Sequence, residues 1–297
     1  MVSSITAAAA VRGRLDKALR AAFPSWARRD VDEAISSRRV AVNGRTVWLG
    51  SWQIEPGDEL VVVDPPTAKP VFPAIWDDGW LVFVDEDIVV VNKPSGLRSE
   101  PRRAGDADAS LLTICAQKFG ALTLSHRLDR DTSGLVVLAR TAAARRALDA
   151  AFKEHAMAKH YVAVVGAQTE LADEGTIDKR LAADPRRRDA IVVVERGGDS
   201  ARTRFRVRAR DGRRVLLDLW PETGRTHQLR VHCAAIGAPI LGDRLYGDST
   251  SAPRLMLHAC ELSVPDIADG QPRTLTAPLP EGFVTSTSPE LGRPTPL

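Results

Sequence analysis

Apolar positions in the first sixty residues recur first with a helical period and then with a strand period. In RGRLDKALRAAF, Leu15, Leu19 and Phe23 return every four positions, which predicts one helix. Pro24 and Ser25 interrupt that stripe. Ser25 is placed to cap a second helix, WARRDVDEAISS, with Val31, Ala34 and Ile35 on one face. RRVAVNGRTVWL then switches to alternation, and Asn43-Gly44 between its two runs predicts a hairpin, because a type I′ turn needs positive φ at both central residues. A Pro56-Gly57 turn leads into the closing strand DELVVV.

The proline-dense stretch PPTAKPVFP reads as a semi-extended linker. Beyond it, short apolar runs such as LVFVD, DIVVVN, GLVVLAR, YVAVV and RVLLDLW mix with helical pieces such as TAAARRALDAAFKEHA. Strands and helices do not strictly alternate, which argues for an α+β domain with a mixed sheet rather than a doubly wound one. The pattern divides the chain into a flexible N-terminus over 1–11, a small α+β unit over 12–64, a linker over 65–79, a larger domain over 80–285 and a flexible tail over 286–297.

With 44% hydrophobic and 27% charged residues, the chain falls among soluble globular proteins. No apolar run is long enough to span a bilayer, and the N-terminus lacks the basic segment of a signal peptide. Cys115, Cys233 and Cys260 are far apart, which argues against a disulfide framework and suits a cytoplasmic protein. A net charge of +3 points to no partner by itself, but its distribution does. Residues 12–45 hold nine Lys/Arg against four Asp/Glu, and residues 178–214 hold thirteen against six. Two basic surfaces suit a polyanion that spans both, although solvated faces account for them equally well. Within the second stretch, Arg186, Arg187 and Arg188 read as either an RNA contact or a solvated hairpin.

Three segments carry candidate chemistry. SHRLDRDTSGLVVLAR packs a histidine, two arginines and two aspartates ahead of a buried strand. If it is extended, Arg127 and Asp129 share one face, His126 and Leu128 the other, and Thr132-Ser133-Gly134 turns into the strand. Asp129 is then either a reactive carboxylate or a turn residue that caps backbone amides. In PETGRTHQLRVHCAAIGAPILGDRLYG, Thr226 is placed to cap a helix with Leu229, Cys233 and Ile236 on its apolar face, ended by Gly237 and Pro239. Arg225 would sit at that helix start, where a cation, free amides and the dipole converge on an anion. His227 and His232 lie five apart, so they are not the i, i+4 pair of a zincin helix, and no metal is expected. In KHYVAVVG, Lys159 and Tyr161 share a strand face; the tyrosine is either packing or a platform for a base. Nucleotide-cofactor and P-loop glycine motifs are missing from the sequence.

Residues 12–64 resemble the S4 RNA-binding domain through RLDKAL, RRDVDEAI, RRVAVNGR and PGDELVV; WLGSW at 48–52 is bulkier than is usual there. HRLDRDTSGLVVLAR, with VDEDIVVVNKPSGL upstream and KHYVAVVG, GRTHQLRVH, GAPILGDRLYG and PRLMLHACEL downstream, resembles the RluA family of RNA pseudouridine synthases. That resemblance implies a mixed, mostly antiparallel sheet with flanking helices, crossed by the active cleft. It implies isomerisation of uridine: the N1–C1′ bond breaks and uracil reattaches through C5, with no cofactor. It makes Asp129 the catalytic aspartate, Arg225 its paired arginine, Tyr161 the residue under the target base, and Arg127 the wedge that replaces a flipped base. Leu229 would pack against the uracil, while His126 and Asp131 would shape the loop. Arg28, Arg29, Arg38 and Arg39 would hold RNA phosphates on the S4-like unit. Large-subunit ribosomal RNA is the first expected substrate, with tRNA as the alternative, and the expected state is a monomer. Two rivals stay open: a non-catalytic RNA-binding assembly factor, and a glycoside or nucleoside hydrolase that would need Asp131 as a second carboxylate.

Overall fold

The computed structural model describes residues 4–10, 12–24, 26, 28–63, 75–101, 109–154, 156–167, 170–187, 189–267 and 269–283. Its contacts divide the chain into two units, residues 1–71 and 72–297.

In the first unit, β1 (Ser4–Ala8) precedes the short β2 (Gly13–Arg14), and α1 (Leu15–Ala22) and α2 (Arg28–Ser36) follow. Next come β3 (Val40–Val42), β4 (Arg45–Val47), β5 (Gln53–Ile54) and β6 (Glu59–Val63). The main sheet has the order β1-β6-β3-β4, and β2 pairs with β5. Both helical stripes behave as their period predicts. Leu15, Leu19, Val31, Ala34 and Ile35 are buried together with Leu60 and Val62, and Phe23 stacks on Trp26 at 4.6 Å. Asn43 and Gly44 have φ of 49° and 77°, as the type I′ turn requires. The Asn43 amide also ties the hairpin to the next turn, donating to Asp58 and accepting from the Glu59 N–H, each at 2.8 Å. The expected loose N-terminus is corrected for residues 4–8, which pair antiparallel with β6 and set Ile5 opposite Val62. The expected cap Ser25, most of the linker and the tail lie outside the described residues. The end of the linker segment belongs to the second unit, since Trp76 packs edge-on against Phe119 at 5.0 Å.

The second unit is built on one long sheet. Its elements are β7 (Leu81–Val84), β8 (Ile88–Lys93), α3 (Leu111–Phe119), β9 (Thr123–Leu124), β10 (Ser133–Ala139), α4 (Ala142–Lys153) and β11 (Lys159–Gly166). They continue with β12 (Glu174–Ala183), β13 (Ile191–Val194), β14 (Asp199–Asp211), β15 (Arg214–Pro221), α5 (Gln228–Ala235), β16 (Leu257–Pro265) and β17 (Pro272–Thr276). The order is β13-β12-β14-β15-β11-β16-β10-β8-β7, with β17 on β16 and β9 on β10. Every pair is antiparallel except β10 with β16, so the sheet is mixed and mostly antiparallel.

β8 and β10 are near-continuous apolar runs because both faces are covered. On one face Val89, Val91, Val136 and Leu138 meet Leu111, Ile114 and Cys115 of α3. On the other, Val90, Leu135 and Val137 meet Ala144 and Leu148 of α4. α5 seats Leu229 and Cys233 in a third cluster with Leu217 and Leu219 of β15. The basic stretch 178–214, open between RNA contact and hairpin from sequence, forms the β12–β14 sheet extension. There Arg202 and Arg204 pair with Glu222, Arg206 and Arg208 with Asp218, and Arg210 with Asp173. Arg187 donates to the Leu245 carbonyl at 2.6 Å, and Arg188 lies outside the described residues.

At the parallel crossing Gly134 has φ 119°, and a Cβ there would stand 2.3 Å from the Ala259 carbonyl oxygen. Only glycine lets β10 approach β16 so closely. Gly134→Ala is therefore expected to lower unfolding free energy by about 2–4 kcal/mol through overpacking and backbone strain. Urea denaturation checks this, and an unchanged midpoint would contradict it.

Candidate active site

The segment from Ser125 to Thr132 leads from β9 into β10, and its alternation turns half its side chains inward. Leu128 is buried. His126 stacks on Phe152 at 4.6 Å, and its Nε2 accepts the Val137 N–H at 3.0 Å. Burial pushes the His126 imidazole down to about 3, which keeps that nitrogen an acceptor. Arg127 and Asp129 face outward, as the extended reading expects. The turn itself comes earlier than expected: Thr132 N donates to Asp129 O at 3.2 Å, and β10 begins at Ser133. Asp131 consequently folds back onto the guanidinium of Arg130, at 2.8 and 2.9 Å.

The backbone of this loop is held from below by residues 93–99. Ser99 Oγ donates to Leu128 O at 2.9 Å and accepts from Leu128 N at 3.1 Å. Ser95 Oγ donates to Asp131 O at 2.6 Å, and Gly96 N to Arg130 O at 2.8 Å. The Lys93 ammonium is fully buried and donates to Pro94 O, Leu97 O and Arg130 O at 3.0, 2.8 and 3.1 Å. Burial pushes Lys93 down to about 7, but only the three protons of the charged form match three carbonyls. Sequence reasoning used NKPSGL in the family resemblance without giving Lys93 a role. The available signal was a lysine ending an otherwise apolar strand.

The arginine facing Asp129 is not the one expected. His227 takes a left-handed conformation (φ 55°, ψ 16°), so α5 begins at Gln228 rather than after Thr226. Gln228 stitches the approach to that helix: its Oε1 accepts from Thr223 Oγ1 and Arg225 N, and its Nε2 donates to Arg202 O and Thr203 Oγ1. Arg225 is left exposed with its Nε on Ser200 O at 3.2 Å. Arg230, inside the helix and buried, donates from Nη1 to Asp129 Oδ2 at 3.2 Å. Its Nε and Nη2 grip both oxygens of buried Asp243 at 2.8 Å. Contact with two carboxylates holds the guanidinium above the ordinary arginine range. Asp243 and its neighbour Tyr246 come from GAPILGDRLYG, which sequence reasoning matched without assigning a role. His227 completes the cluster, with Nε2 3.8 Å from Asp129 Oδ2 and Nδ1 2.8 Å from the Tyr246 hydroxyl. Burial lowers its pKa, and the charge of Asp129 opposes the shift.

A cavity of about 530 Å³ opens above this cluster, lined among others by Arg127, Asp129, Tyr161, Arg225, Leu229 and Arg230. All five residues expected at the catalytic centre thus reach one cavity, although Arg225 does not pair with Asp129. Among the described residues, Asp129 is the one carboxylate in the lining. Burial, aided by the charge of Asp129, pushes the Tyr161 hydroxyl well above its usual range, so it enters the cavity protonated. Arg127 is two-thirds exposed and rests on Glu100 at 2.7 Å. In the first unit, Arg28 lies 3.8 Å from Asp32, Arg39 lies 3.3 Å from Glu33, and Arg38 covers exposed Trp48 at 5.4 Å. The Arg29 side chain lies outside the described residues. The expected arginine cluster is therefore partly neutralised within its own unit.

Residues 87–235 match the family model of RNA pseudouridylate synthases, and residues 13–60 match the S4 domain. The chain belongs to the RNA pseudouridylate synthase family. It is 42% identical over 207 residues to the dual-specificity RNA pseudouridine synthase RluA of Escherichia coli K12, spanning 67% of this chain and 93% of that one. It is 33% identical over 279 residues to the uncharacterised RNA pseudouridine synthase YlyB of Bacillus subtilis, spanning 90% and 91%. Among solved structures, human RNA pseudouridylate synthase domain containing 1 superposes with a TM-score of 0.56 at 29% identity, covering 67% of this chain and 82% of that one. Among the described residues, no helix of this synthase is long and apolar enough to cross a membrane.

Two outcomes follow from the site geometry. Arg230→Met is expected to cost activity at least about a hundredfold and to lower stability, since Asp243 loses its buried counter-charge. Arg225→Ala is expected to stay within about tenfold of wild type and to melt normally. Parallel turnover and melting measurements on the two variants separate these roles, and equal losses would contradict the assignment. The second outcome concerns pH. Folded His126 stays neutral while the unfolded chain takes up a proton below about 6.5. Stability from this group is therefore present above about 6.5 and lost as pH falls toward about 3. His126→Gln should remove about 2 kcal/mol of the stability lost between pH 7 and pH 5. Denaturation curves at the two pH values check it.

Proposed function

We propose that this synthase isomerises a uridine flipped out of structured RNA into the cavity over Asp129. The observation that carries the proposal is a partly exposed carboxylate, alone among the described lining residues and oriented by a buried arginine, in a cavity that also presents Tyr161. In the reaction the N1–C1′ bond breaks, the C5–C1′ bond forms, C5 loses a proton and N1 gains one. Nothing is oxidised and no water is added. Asp129 is the group that attacks, or that takes a proton from the sugar; both routes use a positioned carboxylate oxygen. Arg230 fixes which oxygen points into the cavity. Tyr161 lies under the base, and Leu229 closes one side of the cavity. Arg127, exposed and held at its tip by Glu100, is poised to replace the flipped base in its stack, where a planar guanidinium substitutes for a base face. A glycoside hydrolase would place a second carboxylate across the cavity, and Asp131 is turned onto Arg130 instead.

The S4 unit, with Arg28, Arg38 and Arg39 at its surface, would add phosphate contacts that retain RNA without reading its sequence. Large-subunit ribosomal RNA is the proposed substrate. The relative named as dual-specificity supports tRNA as a second one. A monomer acting in the cytoplasm belongs to the same proposal; all three cysteines are free and buried, which fits a reducing setting.

The test is tritium release from RNA labelled at C5 of uridine, using total RNA from cells that lack the enzyme. Wild type should release tritium, and Asp129→Asn should lose at least about a thousandfold while still binding RNA. Separating ribosomal RNA from tRNA before assay then locates the substrate. Absence of release by wild type would sink the proposal.

A further inference from the structure

Lysines in this protein differ in what answers their charge. Lys93 has three carbonyls, and Lys118 has Asp78 at 3.4 Å. Lys159 is partly buried at the start of β11, two residues before Tyr161, and among the described residues no carboxylate or carbonyl bonds to it. Burial alone lowers its pKa from the ordinary lysine value, with no opposite charge pushing back. A cation half withdrawn from water without a partner is a standing cost to the fold. The side chain is nevertheless well placed. It lines the cavity that holds Asp129 and Tyr161, and its Nζ lies 3.8 Å from where a Cβ on Gly224 would stand, just before Arg225. It also lines an adjoining groove of about 180 Å³ with Trp220 and Arg204. Glu222, the one acid in that groove, is already engaged by Arg202 and Arg204 at 3.2 and 3.4 Å. Lys159 therefore stands where the two depressions meet, with cationic Lys153 and Arg225 also on the cavity wall.

We propose that Lys159 is the binding site for a phosphate flanking the flipped uridine, with Arg225 as its neighbour, so that the missing counter-charge arrives with the substrate. This rests on the synthase reading of the cavity. A base seated on Tyr161 leaves its sugar-phosphate backbone outside the aromatic floor, and the groove beside Lys159 gives that backbone a path out. The role is one of positioning: the ammonium grips a group that does not react, so its removal weakens binding of substrate and transition state together.

The experiment uses the full-length synthase and a stem-loop carrying the uridine located by tritium release. Lys159→Met should raise KM about tenfold with kcat within about twofold, and Lys159→Arg should recover most of the loss. In a second arm, a neutral methylphosphonate replaces the phosphate on either side of the target, with wild type and variant compared. Wild type should lose a similar factor at one of the two positions, and Lys159→Met should lose nothing further there. A Lys159→Met enzyme indistinguishable from wild type would overturn the proposal. So would a fall in kcat at unchanged KM, or losses from variant and methylphosphonate that simply multiply. A wild type that turns over no labelled RNA would overturn the synthase reading instead.

Discussion

A guanidinium cannot be taken out of water unless its charge is answered, and Arg230 is buried at the centre of the site. Asp243 answers it with both oxygens at 2.8 Å, and Asp129 shares what remains at 3.2 Å. The pair with Asp243 is the anchor and the bond to Asp129 is the use made of it. Three segments must be in place for that arrangement: the catalytic loop, α5, whose Arg230 lies 101 residues beyond Asp129, and the turn after it. His227 pins α5 to that turn through Tyr246, and the left-handed backbone at His227 is tolerated because this network over-determines it.

A second buried cation does for the backbone what Arg230 does for the carboxylate. Lys93 gathers three carbonyls, one of them from Arg130 in the catalytic loop. The loop is thus clamped from below by an ammonium and from the side by a guanidinium. Charged residues in such density would otherwise be mobile and solvated, and a reacting oxygen that wanders by an ångström loses much of its rate. The apolar strand behind it, covered by α3 and α4, gives the clamp a rigid floor.

Among the described residues the cavity combines one carboxylate, the aromatic rings of Phe152 and Tyr161, and several cations. That composition suits a polyanion whose base must be seated and whose glycosidic carbon must be reached. It does not suit a hydrolysis that needs paired acids. The arginine-rich β12–β14 extension makes the opposite use of charge, since its guanidinium groups are matched by Glu222, Asp218 and Asp173.

Period and local chemistry were enough to read much of this protein from its residues. The stripes at Leu15, Leu19 and at Val31, Ala34, Ile35, the turn at Asn43-Gly44, the strands β7, β8, β10, β11 and β15, and the outward direction of Arg127 and Asp129 all follow from spacing, because they depend on neighbours within a few residues. What depends on distant segments was not legible. Among the described residues the strand at 4–8 pairs with β6, and its short apolar run resembles a loose end until that partner exists. Arg225 and Arg230 look alike as arginines in one motif. The choice between them was made by where α5 starts and by Asp243, thirteen residues beyond Arg230 in sequence and 2.8 Å from it in space. Lys93 and Ser99 likewise gain their roles only when the loop at 128–131 lies over them. The sequence alone determined most of the elements, since those are local matters of period, and its resemblance to a known family singled out the candidate acid. Only the tertiary structure decided which charges meet, because a buried ion pair is set by the packing of elements rather than by their order along the chain.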